Sequence, residues 1–308
     1  MKIRCLFETL TPLLVEGTLI FDAQGMAIKG ANVIAFAEIS IRQSKNTEIS
    51  RYLYKSEKKE IVVGVNFETL HSCLSSIGPH DSMRFELTRN GLDAMRPYLS
   101  VYVYNNDLHY EYKSDVYLLM IERTEIDSPL KRFSKVVSIP SSLFLKVLRF
   151  SQKRGEAIQI FTRNREVEGK IEQYLCFRTI GDEAQVLFRQ KFSSQGSAEI
   201  LKLELYSLKY LLLISKATNL SATVELYLEK DDLLALKYRI GTIGSAIFAI
   251  SPQVDEAEDV PMLVEEPKQQ PSSQETPRLS SFKRPVRRKR RATVKQSTIS
   301  ELKEKRAR

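Results

Sequence analysis

One plan recurs three times along this chain and narrows what it can fold into. GVNFETLHSCLSSIGPHDSMRFEL (64–87) reads as a strand end, a helix, a turn and a strand. IPSSLFLKVLRFSQKRGEAIQIF (139–161) repeats that plan, and KLELYSLKYLLLISKATNLSATVELYL (202–228) repeats it again. Phe67, Leu70 and Leu74 of the first stretch share their spacing with Leu205, Leu208 and Leu212 of the third. Phe144 and Leu148 of the second match Leu70 and Leu74. Helices this short must bury one apolar face against another element, and the alternating strands beside them supply it. The recurrence predicts a tandem α+β architecture.

Strands dominate the rest of the body. SVYVY (100–104) alternates with period two, and Val224, Leu226 and Leu228 of TVELYL (223–228) share a face. So do Leu236, Tyr238 and Ile240 of LKYRI (236–240). Turn signals separate such runs at Gln24-Gly25, Asn90-Gly91 and 229–232 (EKDD). Helices are predicted at 67–77, 141–153 and 205–216, with a weaker one at 7–15 interrupted by Pro12.

Charge divides the chain. The net charge is +9, and residues 253–308 hold 14 Lys+Arg against 9 Asp+Glu. That segment opens acidic in VDEAEDVPMLVEEP and ends basic in KRPVRRKRR. Its apolar content does not offset the entropy of ordering it, so 253–308 is expected to be a disordered tail. The remaining 1–252, with 308 residues in all, is long enough for two domains with real cores.

Several function classes lack their signatures. Cys5, Cys73 and Cys176 lie far apart with no CxxC pair, and His71, His80 and His109 show no HExxH spacing. There is no P-loop, no GxSxG and no triad-like set. The expectation is a protein that is not an enzyme and needs no cofactor or metal. No apolar run approaches a membrane span, and MKIRCLFETL has no secretory pattern, which reads as intracellular with no membrane partner.

The helix at 141–153 carries the clearest chemical signal. Lys146, Arg149 and Lys153 fall within an arc of ~60°, at ~100° per residue, while Phe144, Val147 and Leu148 centre on the opposite side. One face is apolar toward a core and the other is basic. Lys209 and Lys216, seven residues apart, would emerge on nearly the same side of an α-helix at 205–216. A solvated face with snorkelling stems and a phosphate-binding stripe both fit these positions.

Along 1–252 the chain resembles the PCNA-type DNA sliding clamps. VGVNFETLHSCLSSIG resembles the first-domain helix element of that family, and VVSIPSSLFLKVLRFSQKRGEAIQI the start of its second domain. LKYLLLISKATNLSATVELYLEKDDLLALKYRIGTIGSAIFAISP is similar to its C-terminal run, with KAT, the S-x-T-V strand start, YRI and Pro252 at family spacing.

The resemblance implies two similar domains of curved antiparallel sheet, 1–120 and 135–252, joined by a connector at 121–134. Three copies would close into a ring with helices on the inner face. The implied function is a polymerase processivity factor that encircles duplex DNA without reading its sequence. Its implied partners are DNA polymerase and other proteins with a clamp-binding peptide motif, and a clamp loader. The implied location is the nucleus, or a viral replication site. Lys146, Arg149, Lys153, Lys209 and Lys216 match basic positions facing DNA. His71, Ser72 and Ser75 stand where the family usually has lysines, implying a less positive first domain.

By the same resemblance, Asp115, Tyr117 and Leu119 in SDVYLLM and Val186 and Phe188 in QVLFRQK would meet at the subunit interface. Without it, interior strands are as good a reading of both stretches. Ile126, Pro129, Phe133, Leu233, Ala249, Ile250 and Pro252 match the lining of the partner-peptide pocket. Leu233 replaces a usual proline and Ala249 a usual tyrosine; loss of that ring implies a pocket that is enlarged or changed in shape, with a different partner preference. In the tail, Gln296, Ile299 and Leu302 fit the opening of the partner motif without its aromatic pair; a chance match is the competing reading. Lys283, Arg284, Arg287, Arg288, Lys289, Arg290 and Arg291 form a nuclear localisation signal or a DNA-binding arm.

Two other readings stay open. One keeps the fold but not the self-complementary ring: a heterotrimeric checkpoint-clamp subunit, or a monomeric or dimeric viral processivity factor. The other is a non-specific DNA-binding protein acting through its basic tail.

Overall fold

The computed structural model describes residues 2–42, 52–78, 80–121, 130, 135–167, 170–181, 184–192, 202–228 and 233–253. Of the expected tail only Gln253 is described, its N–H donating to the Leu205 carbonyl at 2.7 Å; residues 254–308, with Gln296, Ile299, Leu302 and the basic run Lys283–Arg291, lie outside the described residues, as do Ile126, Pro129 and Phe133.

The first half opens with α1 (Lys2–Leu10), then β1 (Glu16–Asp22), β2 (Gly25–Ala31), β3 (Ala35–Arg42) and β4 (Glu60–Asn66). It continues with α2 (Phe67–Ser75), β5 (Ser82–Glu86), a one-turn α3 (Arg89–Leu92), β6 (Tyr98–Asn105) and β7 (Tyr110–Tyr117). The second half runs β8 (Lys135–Pro140), α4 (Ser141–Gln152), β9 (Ala157–Val167), β10 (Lys170–Ile180), β11 (Gln185–Phe192) and β12 (Lys202–Ser207). It closes with α5 (Leu208–Ile214), a 3-10 segment (Ser215–Leu220), β13 (Thr223–Leu228), β14 (Leu234–Ile240) and β15 (Gly244–Ile250).

Apart from β8, the one-turn α3 and the 3-10 segment, the halves share one order of elements: helix, four strands, helix, three strands. They also share strand order. The first four strands pair as β4-β1-β2-β3, and their counterparts pair as β12-β9-β10-β11. The last three pair as β5-β6-β7 in one half and β13-β14-β15 in the other. All these pairings are antiparallel. β3 also pairs with β15, which merges strands of both halves into one eight-stranded sheet ending at β4 and β8.

Alternation decides which side chains enter the core. Leu234, Leu236, Tyr238 and Ile240 of β14, Ala246, Phe248 and Ile250 of β15, and Ala37, Ile39 and Ile41 of β3 all face one continuous apolar cluster. The helices cover it with Leu6, Phe7 and Leu10 of α1, Phe67, Leu70 and Leu74 of α2, Phe144 and Leu148 of α4, and Leu208 and Leu211 of α5. The helices also touch one another: α2 lies against α1, α1 against α5 and the 3-10 segment, and both of these against α4. Asn66 caps α2 by accepting a hydrogen bond from the Thr69 N–H at 2.9 Å, a contact worth about 1 kcal/mol.

Two helix expectations need correction. α1 occupies Lys2–Leu10 rather than 7–15. Pro12 lies beyond it and ends it, because the residue before a proline disfavours helical backbone. Residues 205–207 belong to β12, and the α-helix from Leu208 stops at Ile214. There the Ser215 hydroxyl donates to the Leu212 carbonyl at 2.7 Å and the Thr218 hydroxyl to the Ser215 carbonyl at 2.6 Å. Such side chains compete for helix carbonyls, and the backbone tightens into a 3-10 turn. Asn90-Gly91, expected as a turn, lies within α3, capped by the Thr88 hydroxyl accepting from the Gly91 N–H.

Candidate nucleic-acid and partner interfaces

On α4, Phe144, Val147, Leu148 and Ser151 are buried while Lys146, Arg149 and Lys153 are exposed. The basic stripe therefore points away from the core. Arg149 and Lys153 also sit at the helix C-terminus, where cations are favoured by the unpaired carbonyls. Lys209 is exposed at the start of α5.

Lys216 is exposed too, but it lies in the 3-10 segment, so the two-turn spacing from Lys209 does not hold the helical phase. The buried Cys5 thiol of α1 reaches the Lys216 carbonyl, with Sγ at 3.5 Å. Lys216 lines a shallow cavity of about 360 Å³ together with Glu8, Thr11, Pro12 and His71. A second-half lysine thus stands beside α1 and α2. The first-half helices also carry Arg4, paired with Glu8 at 2.9 Å, on the part of α1 that sequence reasoning left out. Ser72 and Ser75 are exposed on α2.

Among the described residues the expected interface strands are both terminal strands of their sheets: β7 ends the three-stranded sheet and β11 ends the sheet β11-β10-β9-β12. Hydrogen-bond parity identifies which groups each edge leaves open. The Leu118 N–H donates to the Pro97 carbonyl at 2.8 Å, so alternate residues of β7, including Val116 and Ser114, bond toward β6. The main-chain groups of Lys113, Asp115 and Tyr117 point away from it. Asp115 accepts from the Ser100 hydroxyl at 2.7 Å and from the Lys113 ammonium at 3.0 Å. The Ser100 hydroxyl first, and Lys113 second, hold its carboxyl below the usual range. Tyr117 is 52% exposed, with the Arg96 guanidinium 4.2 Å above its ring.

Leu119 departs from the expectation. Its N–H donates to the Gly64 carbonyl of β4 at 2.9 Å, so its outward group is used within the chain. On β11 the Gly181 N–H donates to the Ala184 carbonyl at 3.1 Å, and the register continues unbroken from Gln185↔Ile180. By the same parity, Val186 and Phe188 bond toward β10, and the outward groups belong to Gln185, Leu187, Arg189 and Lys191. The Phe188 ring packs against Phe177, centroids 6.2 Å apart, on the core.

The candidate partner pocket maps to the outer face of the eight-stranded sheet. Cross-strand partners form an apolar row there: Val136, Tyr227, Ala235, Ala249 and Phe36. Phe36, Ala235 and Ala249 are buried in a small cluster of their own, packed by Leu130, Tyr227 and Leu233. The next row is charged, with Lys237 3.5 Å from Glu225 and Lys29 3.2 Å from Glu38. Leu233 and Ala249 thus come together, and Leu130 joins them from the connector. Pro252 follows half-buried after β15, where the Ser251 N–H donates to the Ile34 carbonyl at 2.9 Å. Ile250 does not join: strand alternation turns it into the main core. Sequence reasoning missed Phe36, Tyr227 and Ala235. The signal was the outward phase of Phe36 in AFAEISIR, but its opposition to Ala249 is a long-range pairing.

Residues 127–253 match the family model for the proliferating cell nuclear antigen, C-terminal domain. The chain is similar to a protein called probable DNA polymerase sliding clamp 1 from Paramecium bursaria Chlorella virus 1, with 26% identity over 260 residues covering 81% of this chain and 92% of that one. It is also similar to a probable DNA polymerase sliding clamp of Acanthamoeba polyphaga mimivirus, with 24% identity over 201 residues, 65% of this chain and 41% of the relative. The helix layer and the paired antiparallel sheets accompany these matches: the chain is similar to DNA sliding clamps over most of its length, and its residues 127–253 match the C-terminal domain of the proliferating cell nuclear antigen family.

Proposed function

We propose that this protein is a DNA sliding clamp, a non-catalytic processivity factor that surrounds duplex DNA and tethers polymerase to it. The observation that carries the ring is an asymmetry between the halves. β3 pairs with β15 within the chain, while β11, the counterpart of β3, and β7, the counterpart of β15, end their sheets. Edge strands invite pairing. A β7 edge of one copy on the β11 edge of the next would repeat between chains the junction already made within one. Three copies are the closure the family implies, giving a homotrimer.

In that ring the helix layer lines the hole. Lys146, Arg149, Lys153, Lys209 and Lys216 supply attraction to phosphates that is blind to sequence, as a sliding protein needs. The apolar row with Ala249, Leu233 and Pro252 takes the peptide motif of polymerase and other partners; Ile126, Pro129 and Phe133 are assigned to the same pocket by the resemblance alone. A clamp loader opens the ring, and the basic tail run directs the protein to the nucleus or holds DNA at a viral replication site.

Topology tests this reading. Protein loaded on a nicked circular plasmid is expected to stay bound at high salt and to leave once the plasmid is linearised. Equal release from circular and linear DNA would show that it does not encircle DNA.

A further inference from the structure

Within the basic stripe of α4 stands a side chain that phosphate attraction does not use. Phe150 is 48% exposed, although its neighbours Val147, Leu148 and Ser151 are buried. Helical spacing sets it four residues after Lys146 and three before Lys153, next to Arg149. The Arg154 guanidinium lies over its ring, 3.8 Å from the centroid, and Arg154 Nη1 donates to the Phe150 carbonyl at 3.0 Å. That bond fixes the guanidinium on the ring. The result is a half-exposed aromatic ring with one face covered by a cation and three more cations on the same side of the helix.

We propose that Phe150, braced by Arg154, is a stacking site for an unpaired nucleobase on the basic face of α4. The proposal rests on the reading of that face as turned toward DNA. Cations that track the phosphates beside an aromatic ring that takes a base are the two parts of a single-strand site. Charge complementarity with Lys146, Arg149 and Lys153 selects a polyanion over an apolar peptide. A duplex keeps its base faces stacked inside and presents only groove edges, so the ring adds little there. Phe150 would favour the single-stranded stretch beside a primer end over continuous duplex.

Fluorescence anisotropy of the full chain with an oligothymidylate and with a duplex of equal length tests this. Phe150→Ala is expected to weaken oligothymidylate binding about tenfold and duplex binding about twofold or less. Phe150→Trp is expected to keep single-strand affinity. Phe150→Leu retains apolar bulk without the π face and is expected to behave like the alanine variant. Equal losses on both probes, no loss on either, or wild-type single-strand binding by Phe150→Leu would overturn the proposal. Reversal of Lys146, Arg149 and Lys153 to Glu separates the two readings. If that variant binds duplex like the wild type, α4 does not face DNA, whatever Phe150→Ala does.

Discussion

Phe36 of β3 lies directly opposite Ala249 of β15, and only 7% of Phe36 is exposed. By the resemblance Ala249 replaces a tyrosine, so a pocket enlarged or changed in shape was expected. The opposing phenyl ring takes up part of that space from the neighbouring strand. The two positions are coupled through volume. Ala249→Tyr is expected to overpack the cluster and cost about 1–3 kcal/mol in urea denaturation. Combining it with Phe36→Ala is expected to recover most of that loss, and strictly additive effects would show that the rings do not share space.

The α4 stripe makes a salt-dependent prediction. Each phosphate-neutralising cation contributes about 0.9 to the slope of log affinity against log salt on duplex DNA. Replacing Lys146, Arg149 and Lys153 with Gln is expected to lower that slope by about 0.9 for each that contacts a phosphate, together with affinity at low salt. An unchanged slope in a titration from low to moderate salt would mark the stripe as a solvated face.

The two faces of β11 separate assembly from folding. Leu187 points its N–H away from β10, so Leu187→Pro is expected to abolish self-association while leaving thermal unfolding of the single chain nearly unchanged. Val186→Pro removes a bond within the sheet and is expected to destabilise the fold by about 1–3 kcal/mol. Light scattering and a denaturation curve on each variant check this. Leu187→Pro that keeps the wild-type mass would exclude β11 from the interface.

Asp115 links the β7 edge to pH. Its carboxyl is depressed by the Ser100 hydroxyl and Lys113, so its stabilising contribution is present above the unfolded carboxylate value of about 3.9. That contribution is lost as pH falls through the lower folded value. Asp115→Asn is expected to be less stable than the wild type at neutral pH, with the gap in urea midpoint closing below about pH 4. A gap that widens on acidification would contradict the assignment.

Much of this was legible locally. The alternation in β6, β13 and β14 and the one-sided apolar spacing of α2 and α4 are set by nearest neighbours, and the structure keeps them. The residues 208–214 are apolar on almost every side, so spacing could not reveal where that helix would tighten. Hydroxyl competition at Ser215 and Thr218 ended it. At 2–10, attention to Pro12 as an interruption hid a helix that simply ends before it.

The sequence by itself determined the repeated plan, the antiparallel strands and the basic face of α4, because periodicity and charge act over a few residues. Only the tertiary structure decided that Phe36 meets Ala249, that Leu119 is held by Gly64, and that Leu187 rather than Val186 faces the open edge of β11. It also decided that Lys216 reaches the first-half helices and that Phe150 stays uncovered. Each of these depends on which distant strand or helix arrives alongside. Register and edge status come from pairing between segments up to about two hundred residues apart, and no local pattern encodes them.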